Sequence, residues 1–136
     1  MQKARVHFTR LMGTRIVATP DALEGAHWPT DAIVLRFAAD EIYLTAPLSA
    51  ADQTAILAQD AHALIINEGA FSAVWIDEAR SLALLERFCE WEIPADRPAF
   101  AQGAVAGIPT KLWLTQGRFL WIVQSPYVEE MEDRLA

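Results

Sequence analysis

The sequence predicts an α+β fold: a largely antiparallel sheet built from repeated strand–turn–strand–helix units, with the helices on one side of the sheet. Three observations predict it. Apolar residues alternate with a period of two in several short runs, each too short to be a helix. A brief polar break separates the runs into pairs, and a proline closes two of the pairs. Apolar residues at helical spacing then follow. At 136 residues and 53% hydrophobic content, the chain is expected to bury one substantial core as a single domain, 1–136.

Taken in order, Val6–Thr9 and Thr14–Ala18 are predicted as two strands. Ile33, Leu35 and Phe37 then alternate with Val34 and Arg36. After Ala38-Ala39-Asp40 the alternation resumes as Ile42 and Leu44 against Glu41, Tyr43 and Thr45. Two such runs across a short polar break predict a β-hairpin. Pro47 ends the second strand because it has no N–H for a ladder. Ser49 then caps a helix running to about Gln59, with Asp52 three residues on.

The same order returns near the C-terminus at one constant offset. Leu112, Trp121, Pro126 and Leu135 answer to Ile33, Ile42, Pro47 and Ile56, with Gln116-Gly117 as the break. A looser middle copy places Leu64–Asn67 and Phe71–Ile76 on either side of Glu68-Gly69-Ala70. A helix opens there at Asp77 and carries Leu82, Leu85 and Phe88 as its apolar stripe. Residues Glu90–Pro109 hold Pro94, Pro98, Gly103, Gly107 and Pro109, and are expected to form a long loop with at most a short strand.

Charge narrows the function classes. Eleven Lys and Arg against 18 acidic residues leave a net charge of −7, which disfavours nucleic acid and anionic membranes as partners. Arg5, Arg10 and Arg15 are scattered and make no basic patch. One cysteine, Cys89, permits no internal disulfide, and the N-terminus lacks the apolar core of a signal peptide. Ala63–Ile66 and Phe119–Val123 are too short to span a membrane. A cytoplasmic protein is the expectation.

Units of this order resemble the folate-binding domain of the glycine-cleavage T-protein superfamily, and within it the gamma subunit family of heterotetrameric sarcosine oxidase. Three stretches carry the resemblance: Ile33–Leu57, then IINEGAFSAVWIDEARSLALLERF from Ile65, and GAVAGIPTKLWLTQGRFLWIVQSPYVEEMEDRL from Gly103. From Ile33 to Leu135 they span about three-quarters of the chain. The resemblance implies a scaffold role beside flavin- and folate-carrying partner subunits.

The chain departs from the enzymes of that superfamily where their chemistry resides. Those enzymes carry an acidic residue and a Ser-His pair where this chain has Asn67-Glu68-Gly69-Ala70. They follow a Gly-Ile step with a paired acidic motif that supplies the catalytic aspartate, whereas Gly107-Ile108 is followed here by Pro109-Thr110-Lys111. A carboxylate stabilises positive charge developing on a folate nitrogen; threonine cannot, and a lysine ammonium opposes it. The expectation is therefore no catalytic residue and no enzyme activity in this chain alone.

Other chemistry-bearing residues read as structural. His7, His27 and His62 lack metal-ligand spacing, and with Cys89 they form no cluster, so no metal site is expected. Cys89 ends an apolar helical stripe, the usual setting of an inert thiol. Asp40-Glu41 and Asp77-Glu78 fall at a turn and a helix start, where solvated carboxylates are ordinary. No glycine-rich phosphate loop occurs, and the residues that would hold any cofactor are unassigned, with a folate-like ligand kept open.

The C-terminal hairpin does not read as ordinary. One face carries Leu112, Leu114, Phe119, Trp121 and Val123, and the other carries Trp113, Leu120 and Ile122 between Lys111 and Arg118. Each large apolar side chain contributes roughly 1.5–3 kcal/mol on full burial, so both faces must be covered. Two covers stay open. Helices or the 90–109 segment bury the second face within the chain, or a partner chain does, with Trp113 as anchor and Lys111 and Arg118 as rim charges. Trp75, on a central strand, is expected in the core. The function expected is a non-catalytic scaffold subunit of a sarcosine-oxidase-like or related complex, bound to other oxidase-like subunits. The alternatives are a folate-like binder without turnover and a homo-oligomeric module; an active aminomethyltransferase ranks last.

Overall fold

The computed structural model describes residues 4–136. It is α+β, every strand pairing is antiparallel, and the chain divides into two compact units: Met12–Gly69, and Ala70–Ala136 with the residues up to Leu11. Strands β1 (Thr9–Val17) and β4 (Leu64–Asp77) each contribute to both units.

In the Met12–Gly69 unit the strand order is β2-β3-β1-β4, with β2 at Val34–Ala38 and β3 at Glu41–Leu44. The first hairpin falls where the alternation places it, with a register shift between Arg36 and Ala38. The two strands expected at residues 6–9 and 14–18 are instead the single strand β1, and residues 4–8 lie outside any strand. Gly13 makes the continuous strand workable. A Cβ there would stand 2.2 Å from the Tyr43 hydroxyl and 2.4 Å from the Leu44 carbonyl.

A short helix α1 (Pro20–Glu24) was not foreseen, although Thr19 caps it and Pro20 opens it. Helix α2 (Ala50–Gln59) follows as expected, the Ser49 hydroxyl accepting from the Asp52 N–H at 3.1 Å. Ile16, Leu23, Ile42, Leu44, Leu48 and Ile56 form the core of this unit.

In the other unit the order is β4-β7-β6-β5, with β5 at Ala99–Val105, β6 at Ile108–Leu114 and β7 at Arg118–Gln124. Helix α3 (Glu78–Phe88) and helix α4 (Val128–Leu135) contribute Leu85, Met131 and Leu135 to a core with Leu112, Leu114, Phe119, Trp121 and Val123.

Three expectations are corrected here. Glu68-Gly69-Ala70 is no break, since β4 runs through it for 14 residues and the middle copy has no hairpin. The long loop expected over 90–109 holds a seven-residue strand, β5, joined to β6 by Ala106-Gly107. Both turn residues have positive φ (53° and 78°), as a two-residue type I′ hairpin requires. Leu82, expected in the stripe of α3, is exposed; Ser81 and Leu85 are the buried positions. The two outer units, β2–β3–α2 and β6–β7–α4, are both hairpin–helix units as the constant offset predicts. Among the described residues no helix is long and apolar enough to cross a membrane.

Candidate functional site

Strand register assembles the site. In an antiparallel sheet, residues directly opposite one another share a face. Trp75 on β4 stands opposite Leu120 on β7, Leu120 opposite Trp113 on β6, and Trp113 opposite Phe100 on β5. The result is one apolar row, Trp75–Leu120–Trp113–Phe100, across four strands. The next row on the same face is Ala73–Ile122–Lys111–Gln102, and Arg118 stands opposite Asp77 beyond Trp75. Side chains of the opposite face, Ile76, Phe119, Trp121 and Leu112 among them, belong to the core that α3 and α4 share.

The structure brings all five residues of the candidate interface, Lys111, Trp113, Arg118, Leu120 and Ile122, onto this one face, and separates them by exposure. Leu120 (5% exposed) and Ile122 (0%) are buried within the chain, so neither is left for a partner. Trp113 and Lys111 are half-buried and Arg118 is exposed. Trp75, expected in the core, is 37% exposed. The Arg118 guanidinium lies 3.8 Å from the centre of its ring, a cation–π stack that holds the indole at the end of the row. Lys111 Nζ donates to Gln102 Oε1 at 2.7 Å. What stays reachable is thus a strip of Trp75, Trp113 and Phe100 with two cations beside it. Sequence reasoning missed Trp75 and Phe100 because only the β4–β7 and β5–β6 registers align them with Trp113.

The residues at which the sequence departs from the enzymes it resembles take part in the chain's own hydrogen bonding and packing. Thr110 is buried, and its hydroxyl donates to the Ile108 carbonyl at 2.8 Å. In the other unit the Thr14 hydroxyl lies 3.0 Å from both the Ala46 carbonyl and the Asn67 side-chain amide. Both partners, the Ala46 carbonyl oxygen and Asn67 Oδ1, are acceptors, and the single hydroxyl proton is shared between them. Tyr43 is fully buried and stacked on Phe37, ring centres 5.5 Å apart. Burial, and secondarily the Glu68 carboxylate, push its hydroxyl pKa up to about 12. Cys89 Sγ donates to the Trp91 carbonyl at 3.1 Å, and His7 Nδ1 lies 3.9 Å from the Glu132 carboxylate.

No protein-family model matches the chain, and no curated protein matches it. Among solved structures it is similar to a chain of heterotetrameric sarcosine oxidase from Corynebacterium sp. U-96, determined in complex with pyrrole 2-carboxylate. The TM-score is 0.73 at 16% identity, over 94% of this chain and 79% of that one. The chain has the fold of a sarcosine oxidase subunit. The fold implied by the sequence resemblance is therefore the fold observed, although few residues are shared. At 16% identity the likeness lies in the course of the backbone, which many side-chain choices satisfy.

Proposed function

We propose that the chain is a non-catalytic accessory subunit of a sarcosine-oxidase-like or related amine-oxidising complex, and that it docks a partner subunit on the Trp75–Trp113–Phe100 strip. One observation carries this reading. The shared fold covers 94% of the chain, and the similar chain belongs to a heterotetramer, in which each subunit has partners. The strip supports it. Aromatic side chains that stay half-accessible on a sheet face, with arginine and lysine beside them, have the composition of an interface anchor.

The reading of the chain as catalytically silent rests on Thr110 and Lys111. Neither supplies an anion at the position where one-carbon transfer calls for a carboxylate, and Thr110 turns its hydroxyl to its own backbone. No cofactor is assigned to this chain.

The test is recovery of the full-length, affinity-tagged chain from its native host, with mass spectrometry of what accompanies it. The expected result is a stoichiometric complex with flavoprotein oxidase subunits. A chain recovered alone and monomeric, or one that by itself turns over sarcosine with tetrahydrofolate, overturns the proposal.

A further inference from the structure

Helix α3 carries a second stripe beside its buried face, in which Leu84 packs against the core and two arginines do not. Arg80, Ala83, Leu84 and Arg87 follow one another at i, i+3, i+4 and i+7, a single stripe beside the buried Ser81–Leu85 line. That stripe forms one wall of a cavity of about 570 Å³, completed by Ala4, Arg5, Leu135 and Ala136. It is a half-open cleft, with Ala83 and Arg87 exposed along its wall.

The charge of this cavity runs against the composition. The chain has 18 acidic residues against 11 basic ones, yet among the described residues three arginines line the cavity and no acidic side chain does. Arg5 is neutralised by Asp133. Arg80 and Arg87 have no carboxylate partner among the described residues. Arg80 donates from Nη2 to the Ala4 carbonyl at 2.5 Å, and the Arg87 guanidinium stands 5.0 Å from the Phe88 ring centre. Arg80 also sits in the first turn of α3, where the helix dipole opposes a cation. Helix stability alone does not favour that placement, and since the Asp77 carboxylate already caps the helix end, an anion in the cavity would be met by the guanidinium.

We propose that this cleft binds a small organic anion, a phosphate or carboxylate group joined to an apolar body. Arg80 and Arg87 present forked N–H donors that match either oxyanion. Leu84, Ala83 and Leu135 cover the apolar part. The two charges at the ends of the stripe, with leucine between them, select against both a bare ion and a neutral apolar molecule.

Isothermal titration of the full chain with phenyl phosphate, benzoate, inorganic phosphate and benzyl alcohol tests this. Phenyl phosphate or benzoate is expected to bind at least about tenfold more tightly than inorganic phosphate, and benzyl alcohol not measurably. Preference for phenyl phosphate assigns a dianion, and parity with benzoate assigns a carboxylate. Arg87→Gln is expected to weaken binding by about tenfold and Arg80→Gln/Arg87→Gln to abolish it, with circular dichroism unchanged and amide shifts on ligand addition confined to α3, residues 4–8 and the end of α4. Saturable binding that survives the double variant overturns the proposal. So does the absence of binding by both aromatic anions, or shifts mapping elsewhere.

Discussion

Two buried polar groups give sharp tests at the level of single residues. Trp121 is fully buried, and its indole N–H donates to Ser81 Oγ at 3.0 Å, while that hydroxyl donates to the Ile76 carbonyl at 3.2 Å. Ser81→Ala strands a buried N–H and removes a donor to a buried carbonyl. It is expected to cost about 1–3 kcal/mol by urea denaturation, a little offset by the better helix propensity of alanine. Tyr43 is the other. Its folded pKa is raised to about 12 from 10.0, so the stabilisation from keeping it neutral is complete below pH 10 and is lost as pH rises from 10 to 12. The loss is on the order of 2 kcal/mol across that window. Absorbance titration should show a late tyrosinate phase that Tyr43→Phe removes, and that variant's stability should fall less between these pH values. Neither group announced itself in the sequence. Ser81 lies 40 residues from Trp121, and Tyr43 reads as the polar-face member of its strand because the hydroxyl hides a ring that the fold buries whole.

Whole elements were legible wherever local signals agreed. Ser49 and Asp77 are N-caps by hydrogen bond as well as by position, and the alternation of Ile33–Leu44 and Leu112–Val123 places two hairpins. Elements were lost where glycine and proline read as breakers but serve packing. The stretch from Pro94 to Pro109 looks like loop, yet Gly103 is there to admit Trp91. A Cβ on Gly103 would stand 2.6 Å from the indole, which instead lies against the strand and donates to the Ala104 carbonyl at 2.8 Å. Gly69 too reads as a breaker, yet β4 carries through it without a turn. Gly103→Val is therefore expected to destabilise although valine favours strands, by about 1–3 kcal/mol as overpacking. Trp91 fluorescence should shift toward that of a solvated indole. A Gly103→Val protein as stable as the wild type would mean that Trp91 does not rest on β5.

For the molecule as a whole, the excess of negative charge bears on the docking proposed for the aromatic strip. A net charge of −7 repels acidic partners everywhere except where cations gather, and Arg118 and Lys111 flank Trp113 and Trp75 on one face. The two kinds of side chain then act on different steps of association. A half-buried tryptophan gains most of its contact only once docked, so its loss shortens the life of the complex. An exposed cation acts at a distance, so its loss slows encounter. With the partner recovered by co-purification, Trp113→Ala is expected to raise the dissociation rate by roughly thirtyfold, about 2 kcal/mol, at any ionic strength. Arg118→Glu is expected to lower the association rate several-fold in dilute buffer, with the difference fading as salt screens it. Surface plasmon resonance at low and high salt separates the two. If both variants bind as the wild type does, the partner docks elsewhere; if both change only dissociation, the cations are contacts in the bound state and steer nothing.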